Sequence, residues 1–304
     1  MEPAPPEQTA DRTLEAPTVT PEAPRFVILA HQLTRTNARL LEAVRQLEVE
    51  TAWIDAPVLA GPLDTVLARL DVLPTLDGVE DGLWALRRLE HDGVRILNCA
   101  DTLLTCHDKL ATALALARYG LPHPRTACVD DVERAPSFEP PYVVKPRFGS
   151  WGRDVYLCRT DTELRERLAG LQERQWFVRH GAIVQELVPP VGHDLRLVVA
   201  DGSVVGAIER VAAPGEWRTN VALGGHRERV DRISPRAVEL ALGAASAVRG
   251  DFVGVDLLPN GDDEWVVLEV NGAVELTEEY SLPGRSVFGS AAAALAASAL
   301  AAAV

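Results

Sequence analysis

Lysine is almost missing from this sequence. Of 30 basic residues in 304, 28 are arginine and two, Lys109 and Lys145, are lysine. A chain that meets its surface charge with arginine keeps lysine where a compact ammonium on a flexible stem is needed. Neither lysine lies in a Gly-Lys-Ser/Thr string, since Asp108 precedes one and Val144 the other, so a P-loop is excluded. Cysteine is scarce as well. Cys99, Cys106, Cys128 and Cys158 form no CxxC pair, which argues against a zinc ribbon or a dithiol redox centre and leads us to expect reduced thiols in a cytoplasmic protein. There is no HExxH, no Cys/His cluster and no G-x-S-x-G elbow. The first residues lack a basic segment followed by an apolar one, so no signal peptide is expected. The Ala-rich stretch 290–304 is too short to span a bilayer and reads as a terminal helix packed on the body. A formal charge of −14 and a pI of about 5.0 exclude a general nucleic-acid or anionic-membrane binder.

What is present is ample for folding. Hydrophobic residues make up 47% and charged residues 24%, enough for about two domains with a large core. Residues 1–24 are rich in Pro and acids, with few core formers, and are expected to be a disordered tail. Residues 25–107 alternate strand and helix: Arg25–Ala30 is a short apolar strand, then a helix carries Leu40, Leu41, Val44 and Leu47 on one face, and further strands lie at 49–54 and 94–97. This predicts an open α/β domain. Asp108 is placed to cap a helix over 109–119 that Gly120 and Pro122 close. Beyond 124 the pattern changes to paired strands, giving two α+β units, 108–183 and 184–304.

Lys145 ends the strand Tyr142–Lys145 and stands just before the turn Phe148-Gly149-Ser150-Trp151-Gly152-Arg153. Such a loop offers backbone N–H groups to phosphate oxygens, with the ammonium adding charge beside them. A protein kinase has comparable parts, but there the glycine loop precedes the lysine, so the order here is wrong. In the last hairpin Glu269 and Asn271 stand two apart on one strand and share a face, and Asp256 on the partner strand can meet them. Three oxygen donors there suit Mg²⁺, and an acid within Val266-Val267-Leu268-Glu269-Val270 calls for a metal or a partner. Between these sites lie Arg210, Arg218, Thr219, Asn220 and Arg227, with Arg196 on a preceding strand, a cluster suited to phosphate, carboxylate or acyl phosphate.

Taken in order, Lys145 with its loop, Gln185-Glu186-Leu187-Val188, Asp194-Leu195-Arg196, Arg218-Thr219-Asn220, Gly224-Gly225 and Asp256…Glu269-Val270-Asn271 resemble the ATP-grasp ligases, most closely the RimK-type branch that includes α-L-glutamate ligases. The resemblance spans about residues 95–290. It implies an ATP-grasp fold, α/β plus α+β: an N-terminal pre-ATP-grasp domain (25–107), a lid lobe with the glycine loop (108–183) and a C-terminal lobe with the metal site (184–304). It further implies that Lys109, Lys145, Gly149, Ser150 and Gly152 meet the phosphates, that Gln185, Glu186, Leu187 and Val188 form the hinge at adenine, and that Asp194 meets the ribose. Arg218, Thr219 and Asn220 would face the terminal phosphate, Lys145, Arg218 and Asn220 would be catalytic, and Arg196 and Arg210 would meet the substrate. Asp256, Glu269 and Asn271 would hold two Mg²⁺, with Mn²⁺ as a substitute.

The activity so implied is ATP-dependent joining of a carboxylate to an amine through an acyl phosphate, on small-molecule or peptide partners, with no nucleic acid and no membrane. An ATP-grasp phosphotransferase and a non-catalytic ATP-binding regulator are the alternatives. The chain departs from the Ser-Pro-Gly turn common after the family's metal asparagine, reading Gly272-Ala273-Val274-Glu275 instead, so the amine is left open. Glu275, Glu278 and Glu279 there either receive a cationic amine or lie on a solvated helix.

Overall fold

The computed structural model describes residues 24–300 apart from 133, 135, 262 and 263, so the expected tail lies almost wholly outside the described residues. Strands β1 (Arg25–Leu29), β2 (Glu50–Ile54), β3 (Thr65–Ala68) and β4 (Arg95–Leu97) form a parallel sheet in the order β2-β1-β3-β4. Four of the five β1 residues are buried, as an unbroken apolar run in a parallel sheet covered on both faces must be. Helix α1 (Arg35–Arg45) starts where Thr34 Oγ1 accepts from the Asn37 N–H, and it buries Leu40, Leu41 and Val44. Leu47 does not join that face. The helix ends at Arg45, the chain turns through Glu48 at φ +62°, and Leu47 is exposed.

After α2 (Leu83–His91) and β4, helices α3 (Ala100–His107) and α4 (Lys109–Arg118) meet at Asp108, whose carboxylate accepts from the N–H groups of Leu110 and Ala111. Helix α4 was expected in the lid lobe. Its Leu116 shares a core with Leu240 and Ala241 of the helix over the third sheet, and the helix also touches the strand Thr126–Val129.

The second sheet is antiparallel, β5 (Thr126–Val129), β8 (Ala182–Glu186), β6 (Tyr142–Pro146) and β7 (Tyr156–Cys158) in the order β5-β8-β6-β7, backed by α5 (Asp161–Leu171) and α6 (Gln175–His180). A loop of the first domain reaches it. Leu76 is buried among Val129, Phe138 and Trp176, while Asp77 pairs with Arg179 at 2.7 Å. The third sheet is antiparallel too, ordered β11-β10-β9-β12-β13 from β9 (His193–Ala200), β10 (Ser203–Val211), β11 (His226–Arg229), β12 (Phe252–Pro259) and β13 (Trp265–Asn271). One of its faces carries α7 (Pro235–Val248), with Ser234 as N-cap and Pro235 in the first turn. Helix α8 (Val287–Leu300) packs on α1 and β10, closing the body against the first domain. Among the described residues no helix is long and apolar enough to cross a membrane.

Candidate active site

The second and third sheets face each other across an open cleft. Strand β6 is buried along its whole length, and this carries the Lys145 ammonium out of water beside the cleft. Its Nζ donates to Gln185 Oε1 at 2.8 Å. Burial lowers the Lys145 pKa to about 8, with Lys109 acting in the same sense and Glu269 and Asp256 opposing it. The other end of the Gln185 amide donates to Thr126 Oγ1 at 2.9 Å and faces His123 Nε2 at 3.2 Å. Burial also lowers His123, to about 4, so the ring is neutral and its Nδ1–H donates to the Val267 carbonyl at 2.6 Å. Gln185, expected at the adenine hinge, has its amide committed to this chain of contacts. His123 was not anticipated, and a lone histidine between two prolines gives no sequence signal for such a place.

Lys109, from the first turn of α4, donates to the Gly149 carbonyl at 2.5 Å and stands 3.7 Å from Glu269 Oε2. Both lysines therefore reach the cleft at the glycine loop and the acidic strand. Arg218 holds the other side of the loop. It pairs with Glu216 through two nitrogens, and its Nη1 donates to the Gly152 and Val155 carbonyls at 3.3 and 3.2 Å. Gly152, at φ +69°, allows close approach, since a Cβ there would stand 2.7 Å from Asn220 Oδ1. Ser150 and Trp151 lie at the loop tip, and Glu186, Leu187 and Val188, expected at the hinge, also line the cleft. The Glu186 side chain points outward to a two-point pair with Arg125.

Strand register brings the three oxygen donors together. Asp256 lies opposite Glu269, and Gly254 opposite Asn271, with a bulge just after Asp256. Asp256 is not open, however. Its carboxylate accepts from Arg196 Nε and Nη2 at 2.5 and 2.7 Å and from Arg210 Nη2 at 2.8 Å. Burial on its own would raise its pKa, but the two guanidinium groups hold it well below the usual carboxylate range. Asp194, expected at the ribose, is equally committed: Arg210 grips it at 2.7 and 2.6 Å, and Thr219 Oγ1 donates to it. Arg196 and Arg210, expected to meet substrate, thus spend two nitrogens each on buried carboxylates. Sequence reading missed this network because its members lie 16 to 60 residues apart.

A second cavity shares Ser150, Trp151, Asn220 and Glu269 with the first. Asp71, His107, Arg227 and Asn271 also line it. Arg227 Nε is buried there without a hydrogen-bond partner. Glu275 also lines this second cavity, part-exposed and engaged on its other side. It accepts from Thr34, Thr36 and the buried Arg69 at 3.1, 2.6 and 3.0 Å, tying the first domain to the third sheet. Glu278 pairs with Arg39, and Glu279 lies 3.8 Å from Arg227. Among the described residues no group of three or more His, Cys, Asp and Glu side chains is arranged to hold a metal ion.

Comparison with known proteins gives a consistent picture. The family model for the RimK-like ATP-grasp domain matches residues 106–283. The chain is 31% identical over 261 residues to the glutamate–LysW ligase of Sulfurisphaera tokodaii, covering 82% of this chain and 90% of that protein. It is 32% identical over 222 residues to the tetrahydromethanopterin:α-L-glutamate ligase of Methanosarcina acetivorans, covering 69% and 68%. Its fold matches the ATP-grasp ligase PsnB complexed with a minimal precursor, Mg and ADP, at a TM-score of 0.66 and 18% identity, over 90% of this chain and 98% of that one.

Proposed function

The chain belongs to the RimK-like ATP-grasp family, whose members compared above are carbon–nitrogen ligases, and on that premise we propose that it uses ATP to join the amine of glutamate or a related amino acid to the carboxylate of a small molecule or peptide. The observation that carries this reading is the meeting of two cavities at Ser150, Asn220 and Glu269. One holds both lysines, while the other offers an acid, Asp71, and an arginine, Arg227, whose Nε is unsatisfied. The α-ammonium and α-carboxylate of an amino acid are one charge of each sign, and that pair suits the second.

The residues present fit a nucleotide. Two of the three Lys145 N–H donors have no acceptor among the described residues, and a buried cation in that state calls for an anion. They also fit Mg²⁺ that brings most of its shell as water and phosphate oxygens. Glu269 borders the cleft, and Asn271 uses its N–H toward Gly254, leaving Oδ1 unused. Asp256 accepts three of about four possible hydrogen bonds, so one lone pair remains. We assign two Mg²⁺, replaceable by Mn²⁺, to Asp256, Glu269 and Asn271, where the metal would neutralise phosphate charge.

Within this reading Lys109 and Lys145 place the phosphates, and Gly149, Ser150 and Gly152 cover them. The backbone from Gln185 to Val188 seats the adenine. Arg218 and Asn220 face the charge that develops when a carboxylate oxygen takes the terminal phosphoryl group. Held dry under the loop, the resulting acyl phosphate meets the amine before water does. Arg196, Arg210, Asp194 and Thr219 form the rigid floor that aims these groups.

The test is ATP- and Mg²⁺-dependent release of ADP over a panel of carboxylates, with hydroxylamine present to trap acyl phosphate as hydroxamate. Wild type should form hydroxamate with at least one acid, and Lys145→Ala and Glu269→Ala should not. ADP release without hydroxamate from any acid would overturn the ligase reading in favour of phosphate transfer.

A further inference from the structure

A ligase of this kind faces a difficulty that the nucleotide cleft does not solve. An alkylammonium with a pKa near 10 is free base in only about one molecule in a thousand at pH 7, and the ammonium has no lone pair with which to attack. The acceptor must lose a proton inside the second cavity.

We propose that His107, with Asp71 beside it, receives and deprotonates the acceptor's ammonium group, an inference that rests on the ligase reading above. His107 closes α3 and lines the second cavity together with Asn271 and Glu269. Its Nε2 lies 2.8 Å from the Leu70 carbonyl, an oxygen that only accepts, so Nε2 carries the hydrogen and Nδ1 keeps a lone pair. Among the described residues nothing donates to Nδ1. Asp71 Oδ1 stands 3.9 Å from it, too far for a hydrogen bond. A nitrogen about 2.8 Å from both atoms would subtend about 90° between them, near the spread of two N–H bonds of an ammonium. The pair is thus spaced to hold one.

The surroundings favour a neutral ring that can become charged. Burial holds the His107 pKa below the ordinary histidine value, with Lys109 acting in the same sense and Asp71, the Leu70 carbonyl and Glu269 against it. Asp71, facing Nδ1, is the partner for the imidazolium once formed.

The step balances. One N–H proton passes to His107 Nδ1, and the bonding pair stays on the amine nitrogen. That pair forms the C–N bond at the acyl phosphate carbon, and the C–O bond to phosphate breaks with its electrons on phosphate. The second N–H proton leaves on the departing phosphate, and the imidazolium returns its proton to water at the cavity mouth. Acyl phosphate and ammonium become amide, hydrogen phosphate and one proton.

Hydroxylamine provides the test, because it is already a free base at neutral pH. Wild type, His107→Gln and Asp71→Asn would be compared with L-glutamate and with hydroxylamine, using an acid that supports hydroxamate formation. The glutamine amide would keep an N–H for the Leu70 carbonyl but could take no proton. His107→Gln should lower kcat for glutamate ligation by about 10²-fold or more, while the hydroxylamine reaction falls by less than about threefold. Its residual ligation should climb about tenfold per pH unit as glutamate's free base accumulates. Asp71→Asn should raise KM for glutamate and leave the hydroxylamine reaction unmoved. Equal losses with both nucleophiles, or no loss with glutamate, would overturn the proposal. Hydroxamate without any glutamylation would overturn the acceptor it assumes, and no hydroxamate in wild type would overturn the ligase reading and this inference together.

Discussion

Lys145 Nζ donates to Gln185 Oε1 at 2.8 Å, and the far end of the same amide is held from the other side by His123 and Thr126. His123 spends its only N–H on the Val267 carbonyl, so its Nε2 can only accept. Gln185 must therefore turn its NH₂ toward His123 and Thr126 and its oxygen toward the lysine. The third sheet, through Val267, thus orients a cation carried by the second.

Breaking that chain should loosen the ammonium without removing it. His123→Phe keeps the bulk and deletes both ring nitrogens. We expect KM for ATP to rise about tenfold, the cost of one buried hydrogen bond, with kcat changed less. Steady-state kinetics at saturating acid and amine measure both. An unchanged KM would mean that Lys145 holds its place without the relay.

The Lys145 value of about 8 gives a sign to the pH profile. Below it the ammonium is charged and, in the role proposed for it, attracts phosphate, whereas above it the charge is lost. kcat/KM for ATP, which reports the free enzyme, should fall as pH rises through about 8. The stability effect runs the other way. The folded pKa lies below the unfolded one, so between about 8 and 10.5 the unfolded chain binds more protons and this residue adds stability as pH rises. Opposite trends of kcat/KM and Tm over that range would identify the group.

Much of this site can be read from neighbours in sequence. Period two along β13 puts Glu269 and Asn271 on one face, and the hairpin register then delivers Asp256. The rarity of lysine marks Lys109 and Lys145. What escaped the reading depends on long-range packing. Arg69 and Glu275 are 206 residues apart, and only the docking of the first domain on the third sheet makes them partners. The fold likewise sets the Nε2–H of His107 against the Leu70 carbonyl, and the pairing of β9 with β10 sets Arg210 opposite Asp194, so atoms that look available in the sequence are taken up by neighbours the topology supplies. Leu47 fails for a local reason, because the turn at Glu48 ends the helix before its periodicity does.

Asp256 and Glu269 face each other across two strands but should fail differently when neutralised. Asp256→Asn removes the charge shared by Arg196 and Arg210 and leaves Arg196 without a carboxylate in a buried place. We expect a loss of about 3–5 kcal/mol in unfolding free energy. Glu269 is a quarter exposed and its nearest cation, Lys109, is 3.7 Å away, so Glu269→Gln should abolish Mg²⁺-dependent activity while unfolding at nearly the wild-type denaturant concentration. Chemical denaturation of the two variants side by side decides this. Equal destabilisation would mean that Glu269, too, is part of the buried network.

The glycine loop offers the sharpest local test. Gly152 sits at φ +69°, and a Cβ there would press to 2.7 Å on Asn220 Oδ1 and 3.1 Å on Leu223. Gly152→Ala therefore carries both left-handed strain, about 1–2 kcal/mol, and a clash that pushes the loop away from Asn220. Because Arg218 reaches the Gly152 carbonyl, the displacement should also loosen the arginine expected at the terminal phosphate. The consequence is a lower kcat with leakage of acyl phosphate to water, read as ADP release exceeding amide formed. Gly170→Ala is the control. It lies inside α5 with nothing within 4 Å of an added Cβ, so it should raise stability by about 0.5–1 kcal/mol and leave the coupling of ADP to amide intact. Tight coupling in Gly152→Ala would show that the loop tolerates the methyl group and that contact with Asn220 does not set its closed position.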